Sequence, residues 1–265
     1  TSINWSRFLT DYENVTVDEE YAAYYDQLFD ALLANGITPM ICLEHYELPG
    51  YLLEKYGGWG SKTVVELFVR YAEKVFARYH PKVTRWFTFN EPIVVQTRVY
   101  LDALRWPYEQ NTSTWMQWNY HKVLATASVV KRFRELGYPG TVGCILNPEV
   151  TYPRSRAPHD LRAAEIYDLF YNRMFLDPLV HGVWPPELLA LLEQHQVTWE
   201  TSEEDLAVIR EHTVDELGIN LYYPHRVKAP SRAWHPHTPF HPAWYYEPFE
   251  LPGRRMNASR GWEIY

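Results

Sequence analysis

The chain has 265 residues, enough for one large domain with a full core, and its 46% apolar and 22% charged residues are an ordinary globular balance. A formal net charge of −8 excludes the basic face that nucleic-acid binding needs, and no apolar run approaches the ~20 residues of a membrane-spanning helix. Only two cysteines occur, Cys42 and Cys144, both inside apolar runs, which argues for buried thiols rather than a disulfide framework. With no secretory pattern in the first residues, the expectation is a cytoplasmic protein, in which the N-x-[ST] matches at Asn14, Asn111 and Asn257 read as chance. Aromatic residues make up 16% of the chain, a composition that suits either a sugar-binding cleft or a large core with aromatic loops.

Strands and helices alternate along the chain. Ser2-Ile3-Asn4-Trp5 reads as the end of a strand. Thr16 and Glu19 read as a capping box, followed by Ala22, Tyr25, Leu28, Phe29, Leu32 and Leu33 at helical spacing and closed by Asn35-Gly36. A strand over 37–43 precedes a helix beginning at Ser61, and the run Val83-Thr84-Arg85-Trp86-Phe87-Thr88-Phe89 is the next strand. A helix from Trp115 to Leu136 stops at Gly137, and Thr141 to Leu146 is a further strand. Helices are predicted over 161–174, 187–193 and 203–211, then a fifth strand in Leu217-Gly218-Ile219-Asn220-Leu221-Tyr222. The stretch 224–260, rich in Pro, His, Arg, Trp and Tyr, shows no period and reads as a long loop over the mouth of the fold. Regular β-α alternation implies a parallel sheet with helices outside. A doubly wound sheet competes with a barrel, but it usually carries a Gly-rich phosphate turn after its first strand, and none is present.

The most informative tetrapeptide is Phe89-Asn90-Glu91-Pro92. It sets a carboxyl group at the C-terminal end of a buried strand, where an α/β barrel keeps its chemistry and where an unused Glu is costly. Hydrolysis of a glycosidic bond needs such a group to protonate the leaving oxygen, together with a second carboxylate; the competing reading of Glu91 is a surface residue capping the next helix. Asn90 could bond a sugar hydroxyl as donor and acceptor, or serve a turn. His45, just past the strand 37–43, has a hydroxyl-binding and a structural reading. Arg7, past the first strand, reads as a buried guanidinium holding a carboxylate. Glu44, Glu47 and Glu263 lie near loops expected at the top face but do not follow a strand in a nucleophile's place. No metal is expected, because prolines interrupt His235, His237 and His241 and no cysteine lies near them. Arg254, Arg255 and Arg260 read as solvated charges or as a phosphate contact.

These motifs, with Leu32-Leu33-Ala34-Asn35-Gly36-Ile37-Thr38-Pro39, Glu44-His45-Tyr46-Glu47-Leu48-Pro49, Tyr56-Gly57-Gly58-Trp59 and Gly261-Trp262-Glu263-Ile264-Tyr265, resemble glycoside hydrolase family 1 in family order and from end to end. The resemblance implies a (β/α)8 TIM barrel forming one partial catalytic domain over 1–265, a retaining double displacement and no cofactor. It assigns Glu91 as general acid/base, Asn90 to the sugar 2-hydroxyl, His45 to the glycone, Asn220 to the same wall, Arg7 and Tyr222 to orienting the nucleophile, and Trp262 to the platform of the leaving-group subsite. It places the family's first strand before Thr1, and the Glu-Asn-Gly strand that carries the nucleophile after Tyr265. The chain is therefore expected to supply about strands 2 to 6 and to expose two sheet edges through which it could associate. The wording of Arg260-Gly261-Trp262-Glu263 is similar to the bacterial 6-phospho branch, so the implied partner is a small-molecule β-glycoside carrying a 6-phosphate. A plain β-glucosidase or β-galactosidase, and a non-catalytic sugar-binding piece of a barrel, are the alternatives.

Overall fold

The computed structural model describes residues 1–234 and 238–265. The chain begins with Ser2 bridged in parallel to Cys42, then a single helical turn, α1 (Trp5–Phe8), capped by the Asn4 side chain. A small hairpin, β1 (Leu9–Asp11) and β2 (Thr16–Val17), leads into α2 (Glu19–Ala34). The predicted capping box is displaced here. Thr16 is used in the hairpin, and Asp18 instead accepts the Tyr21 N–H at 2.9 Å as the helix cap. Next come β3 (Met40–Glu44), α3 (Gly50–Tyr56) and α4 (Lys62–Tyr79), the last opened by Ser61. Then follow β4 (Arg85–Asn90), the short α5 (Val94–Gln96) and a five-residue π-helical turn over Thr97–Leu101. The long α6 (Thr112–Leu136) is capped by Asn111 and closed by Gly137, whose φ of +68° is the left-handed conformation that glycine adopts freely. The order continues as β5 (Thr141–Leu146), β6 (Thr151–Pro153), α7 (Pro158–Tyr171), α8 (Arg173–His181), α9 (Pro186–Gln194) and α10 (Glu203–Glu211). It closes with β7 (Glu216–Ile219), β8 (His225–Lys228) and β9 (Glu247–Pro248).

The principal sheet is parallel and runs β3-β4-β5-β7, with the Ser2 bridge on the free side of β3. Sheet order therefore follows chain order without reversal, as in a barrel wall; a doubly wound sheet reverses at a switch point. Close packing fixes the register at Gly143, where a Cβ would stand 2.4 Å from the Glu216 carbonyl oxygen of β7. Behind the sheet, Trp5 stacks on Tyr71 at 5.4 Å and Phe68 on Phe89 at 4.9 Å, so aromatic residues predicted on the inner face of α4 join the strand ends to the helix layer.

The stretch 224–260 is not a period-less loop. Two of its segments, β8 and β9, form with β6 a second sheet in the order β6-β8-β9, packed on α7 through Val227, Tyr246, Ala163 and Tyr167. Buried Asp160 pins it, accepting the Ala229 N–H at 2.8 Å, Ser155 Oγ at 2.7 Å and Arg154 Nε at 3.1 Å. Strands of two to four residues carry no readable alternation, so pattern alone could not find them. Arg226 and Glu263 form a nearly buried bidentate pair, with contacts of 2.7 to 3.0 Å, that folds the last residues back onto this sheet. Among the described residues no helix is long and apolar enough to cross a membrane.

Candidate active site

The site grows from the C-terminal end of β4. Pairing between β4 and β5 slips between Phe87 and Asn90, an irregularity that re-aims the last residues of the strand. Asn90 and Glu91 are both buried there, at 5% and 6% exposure. Glu91 itself sits at φ +48°, a conformation costly for a residue with a side chain. The turn is held from three sides. The Glu91 N–H donates to the Ile145 carbonyl at 2.7 Å, its own carbonyl accepts from the Val94 N–H at 3.1 Å, and Lys122 Nζ donates to the Pro92 carbonyl at 3.1 Å.

Three donors converge on the Glu91 carboxyl group. Oε1 accepts from Tyr222 Oη at 2.6 Å and from Asn220 Nδ2 at 2.8 Å, and Oε2 accepts from the Tyr46 phenol. The hydrogen bond to Glu91, and then burial, push the Tyr222 phenol up to about 12; burial first, and then the same carboxyl group, raise Tyr46 further. Both phenols therefore remain donors through the neutral range. Asn220 Nδ2 also reaches Asn90 Oδ1 at 3.0 Å, and Asn90 Nδ2 lies 3.3 Å from His45 Nε2. The amide donates there, which puts the His45 proton on Nδ1. Five residues from three strand ends thus share one hydrogen-bonded network with Glu91.

Beneath this network, Glu44 at the end of β3 and Lys122 on α6 are both buried. Burial raises the Glu44 carboxyl and lowers the Lys122 ammonium, and the attraction between the two opposes both shifts. The thiols of Cys42 and Cys144 are buried here too, donating to the carbonyls of Glu44 and Phe89.

Glu91 opens onto a cleft of about 600 Å³ whose lining also includes Tyr222, Tyr223, Trp262, His225 and Glu149. Trp262 packs against Tyr222 at 5.4 Å and Tyr223 at 5.0 Å. The cleft therefore brings Tyr222 and Trp262 together with Glu91, while Asn90, His45 and Asn220 join them through hydrogen bonds.

Arg7 is not among them, which corrects the expectation of a buried guanidinium holding a carboxylate. Residues 5–8 form a helical turn that buries Trp5 and Phe8, so Arg7 faces outward. It lies over the Tyr21 ring at 4.6 Å, in a separate depression with Asp18, Glu20 and Tyr24. Of the carboxylates weighed as substitutes, Glu44 is buried below the site, Glu47 accepts the His45 N–H at 2.9 Å, and Glu263 is committed to Arg226.

Two residues of the site were missed from sequence. Tyr46 stands in the motif Glu44-His45-Tyr46-Glu47 with no role assigned to it. Glu149 follows β5 in Asn147-Pro148-Glu149 much as Asn90-Glu91-Pro92 follows β4, and position after a strand end was the available signal.

The His235/His237/His241 expectation falls partly outside the described residues, since His235 and His237 lie there; among the described residues no group of three His, Cys, Asp or Glu could hold a metal ion. Arg254 pairs with Glu250 at 2.8 Å, and Arg260 lies over the Trp262 ring at 5.1 Å.

Residues 1–241 match the family model described as Glycosyl hydrolase family 1. The chain is 40% identical over 264 residues to the 6-phospho-beta-glucosidase GmuD of Bacillus subtilis, covering 100% of this chain and 56% of that protein. It is 34% identical to the aryl-phospho-beta-D-glucosidase BglH of the same organism, over 84% of this chain and 48% of the relative. Among solved structures, the complex of virulence factor SghA with its substrate analog salicin superposes with a TM-score of 0.88 at 29% identity, covering all of this chain and 56% of the other. The family 1 β-glucosidase of Thermotoga maritima gives 0.85 at 28%, with the same coverage. The chain thus spans about half the length of the relatives it matches, and its parallel sheet with outer helices is part of a (β/α)8 barrel.

Proposed function

The chain belongs to glycosyl hydrolase family 1, and we propose that it supplies the acid/base side of a retaining β-glycosidase acting on 6-phospho-β-glucosides. The observation that carries this reading is the position of Glu91: a buried carboxyl group at the end of a parallel strand, gripped by two phenols and an amide, and open to a cleft. In the first half of the reaction Glu91 would protonate the glycosidic oxygen as the bond to the anomeric carbon breaks. In the second it would take a proton from the water that releases the sugar. Asn90, His45 and Asn220 would bind the glycone hydroxyls, as donors and acceptors already ordered by one another. Tyr222 would hold charge in place at the reacting centre, and Trp262 would carry the leaving group. No residue of this chain is assigned as nucleophile. The 6-phosphate is supported by the curated relatives, GmuD and BglH, whose names specify phosphorylated glucosides.

The test is hydrolysis of p-nitrophenyl β-glucoside with and without a 6-phosphate, by the 265-residue chain and by the full open reading frame that encodes it. Turnover of the phosphorylated substrate at least tenfold faster supports the proposal. Preference for the free glucoside would sink the phosphate reading, and no turnover of either by the full frame would sink the glycosidase reading.

A further inference from the structure

The cleft has a second polar end. The backbone of Glu149 is fixed there by one side chain: its N–H donates to Asn172 Oδ1 at 2.7 Å, and its carbonyl accepts from Asn172 Nδ2 at 3.1 Å. Asn172 is itself anchored by Asp168 Oδ1 at 2.7 Å, and Thr151 Oγ1 reaches the same carbonyl at 2.7 Å. The side chain is equally constrained. Oε2 accepts from the Tyr167 phenol, and His225 Nδ1 lies 2.9 Å from that phenol oxygen. The single phenol proton serves Glu149, so His225 donates from Nδ1. These contacts fall on Oε2. The side chain keeps 24% exposure and lines the cleft, and among the described residues no hydrogen bond falls on Oε1, which leaves that oxygen as an acceptor.

An unbroken row of rings joins the two carboxyl groups. Tyr222, bonded to Glu91, packs on Trp262; Trp262 packs on Tyr223; and Tyr223 stacks on His225 at 4.8 Å, beside Glu149. Ring faces along one wall with a fixed acceptor at the far end fit a ligand that stacks while presenting hydroxyl donors. An apolar aryl group would cover Glu149 and leave that acceptor unfilled, which costs affinity.

We propose that Glu149 is the acceptor for a hydroxyl of a saccharide leaving group, so that the cleft selects β-linked disaccharides over aryl glycosides of the same glycone. This rests on the reading of Glu91 as the acid/base. The test compares wild type, Glu149→Gln and Glu149→Ala on cellobiose 6′-phosphate and p-nitrophenyl β-glucoside 6-phosphate, using the full open reading frame. Loss of a hydrogen bond to a charged acceptor predicts that Glu149→Ala lowers the disaccharide-to-aryl ratio of kcat/KM by about 10- to 100-fold, mainly through KM. Glu149→Gln keeps an oxygen for Tyr167 and controls for folding; it should lower the ratio less. Equal losses on both substrates would overturn the assignment. Calorimetric binding of both ligands decides the matter without turnover: the alanine variant should weaken disaccharide binding at least tenfold more than aryl binding. A wild type that binds only the aryl ligand would refute the inference, whereas binding of both without hydrolysis would refute the acid/base reading alone.

Discussion

Replacing Lys122 by Met should destabilise this fold. Lys122 lies on α6 at 1% exposure, donates to the Pro92 carbonyl at 3.1 Å and stands 5.4 Å from the Phe89 ring centroid and 5.9 Å from that of Trp59. Its charge offsets that of Glu44, which is 1% exposed and whose Oε2 is a buried atom without a hydrogen-bond partner. Methionine fills nearly the same volume, so the loss is electrostatic. It leaves Glu44 as an uncompensated buried acid and frees a carbonyl beside the strained Glu91 turn. Leaving the Pro92 carbonyl without its donor and removing the attraction to Glu44 should cost about 1–3 kcal/mol. Glu44→Gln should cost less, about 1 kcal/mol, because it deletes the poorly satisfied charge while Lys122 keeps its carbonyl and ring contacts. The double change Glu44→Leu with Lys122→Met should recover about 1 kcal/mol of the single loss, since no charge then remains buried. Urea unfolding followed by tryptophan fluorescence at pH 7 measures all of these. A Lys122→Met cost below about 1 kcal/mol, or a double-variant cost equal to the sum of its parts, would show that the two groups are not coupled.

Two further outcomes follow from the geometry. Asp160 is held down to about 2 by the Ala229 N–H, then Ser155 and Arg154, below its ordinary 3.8. The folded state thus binds fewer protons than the unfolded one, so the stabilisation is fully present above pH ~4 and is lost as pH falls toward 2. The β6-β8-β9 sheet should release in that window, seen as faster amide exchange of Ala229; Asp160→Asn should abolish the pH dependence, and an unchanged acid profile would contradict it. Gly143→Ala should destabilise by about 1–3 kcal/mol, because its Cβ would stand 2.4 Å from the Glu216 carbonyl oxygen where β5 pairs with β7. A melting temperature within 1 °C of wild type, about the precision of the assay, would show that β7 can move aside.

The parts that could be read in advance were those with a period or a sharp boundary. Thr141–Leu146 and Glu203–Glu211 occupy the predicted spans, and Gly137 ends α6 as its left-handed backbone requires. The hairpin before α2 was hidden because two- and three-residue strands have no alternation, and it moved the cap from Thr16 to Asp18. The predicted helix over 161–174 is instead two helices, α7 and α8, divided at Asn172, whose side chain is committed to Glu149 and Asp168. That division depends on a tertiary contact no local pattern announces. At the site, the sequence marks which residues end strands but not which side chains turn inward. Asn90, Glu91, Asn220 and Tyr222 meet at or just past the ends of β4 and β7, whereas Arg7 is turned out by the burial of Trp5 and Phe8.

Glu91 is the centre of the proposed chemistry, and two leaving groups test its role. Glu91→Gln, made in the full open reading frame, removes the acidic proton but keeps the shape of the carboxyl group. With a poor leaving group that needs protonation, kcat/KM should fall by about 10²–10⁴-fold. With a 2,4-dinitrophenyl leaving group, which departs without help, the first step should be nearly unaffected, and the smaller variant Glu91→Ala should be accelerated by azide, with a β-glycosyl azide as product. Equal losses on both leaving groups, with no rescue by azide, would mean that Glu91 orders the strand end and does not donate the proton.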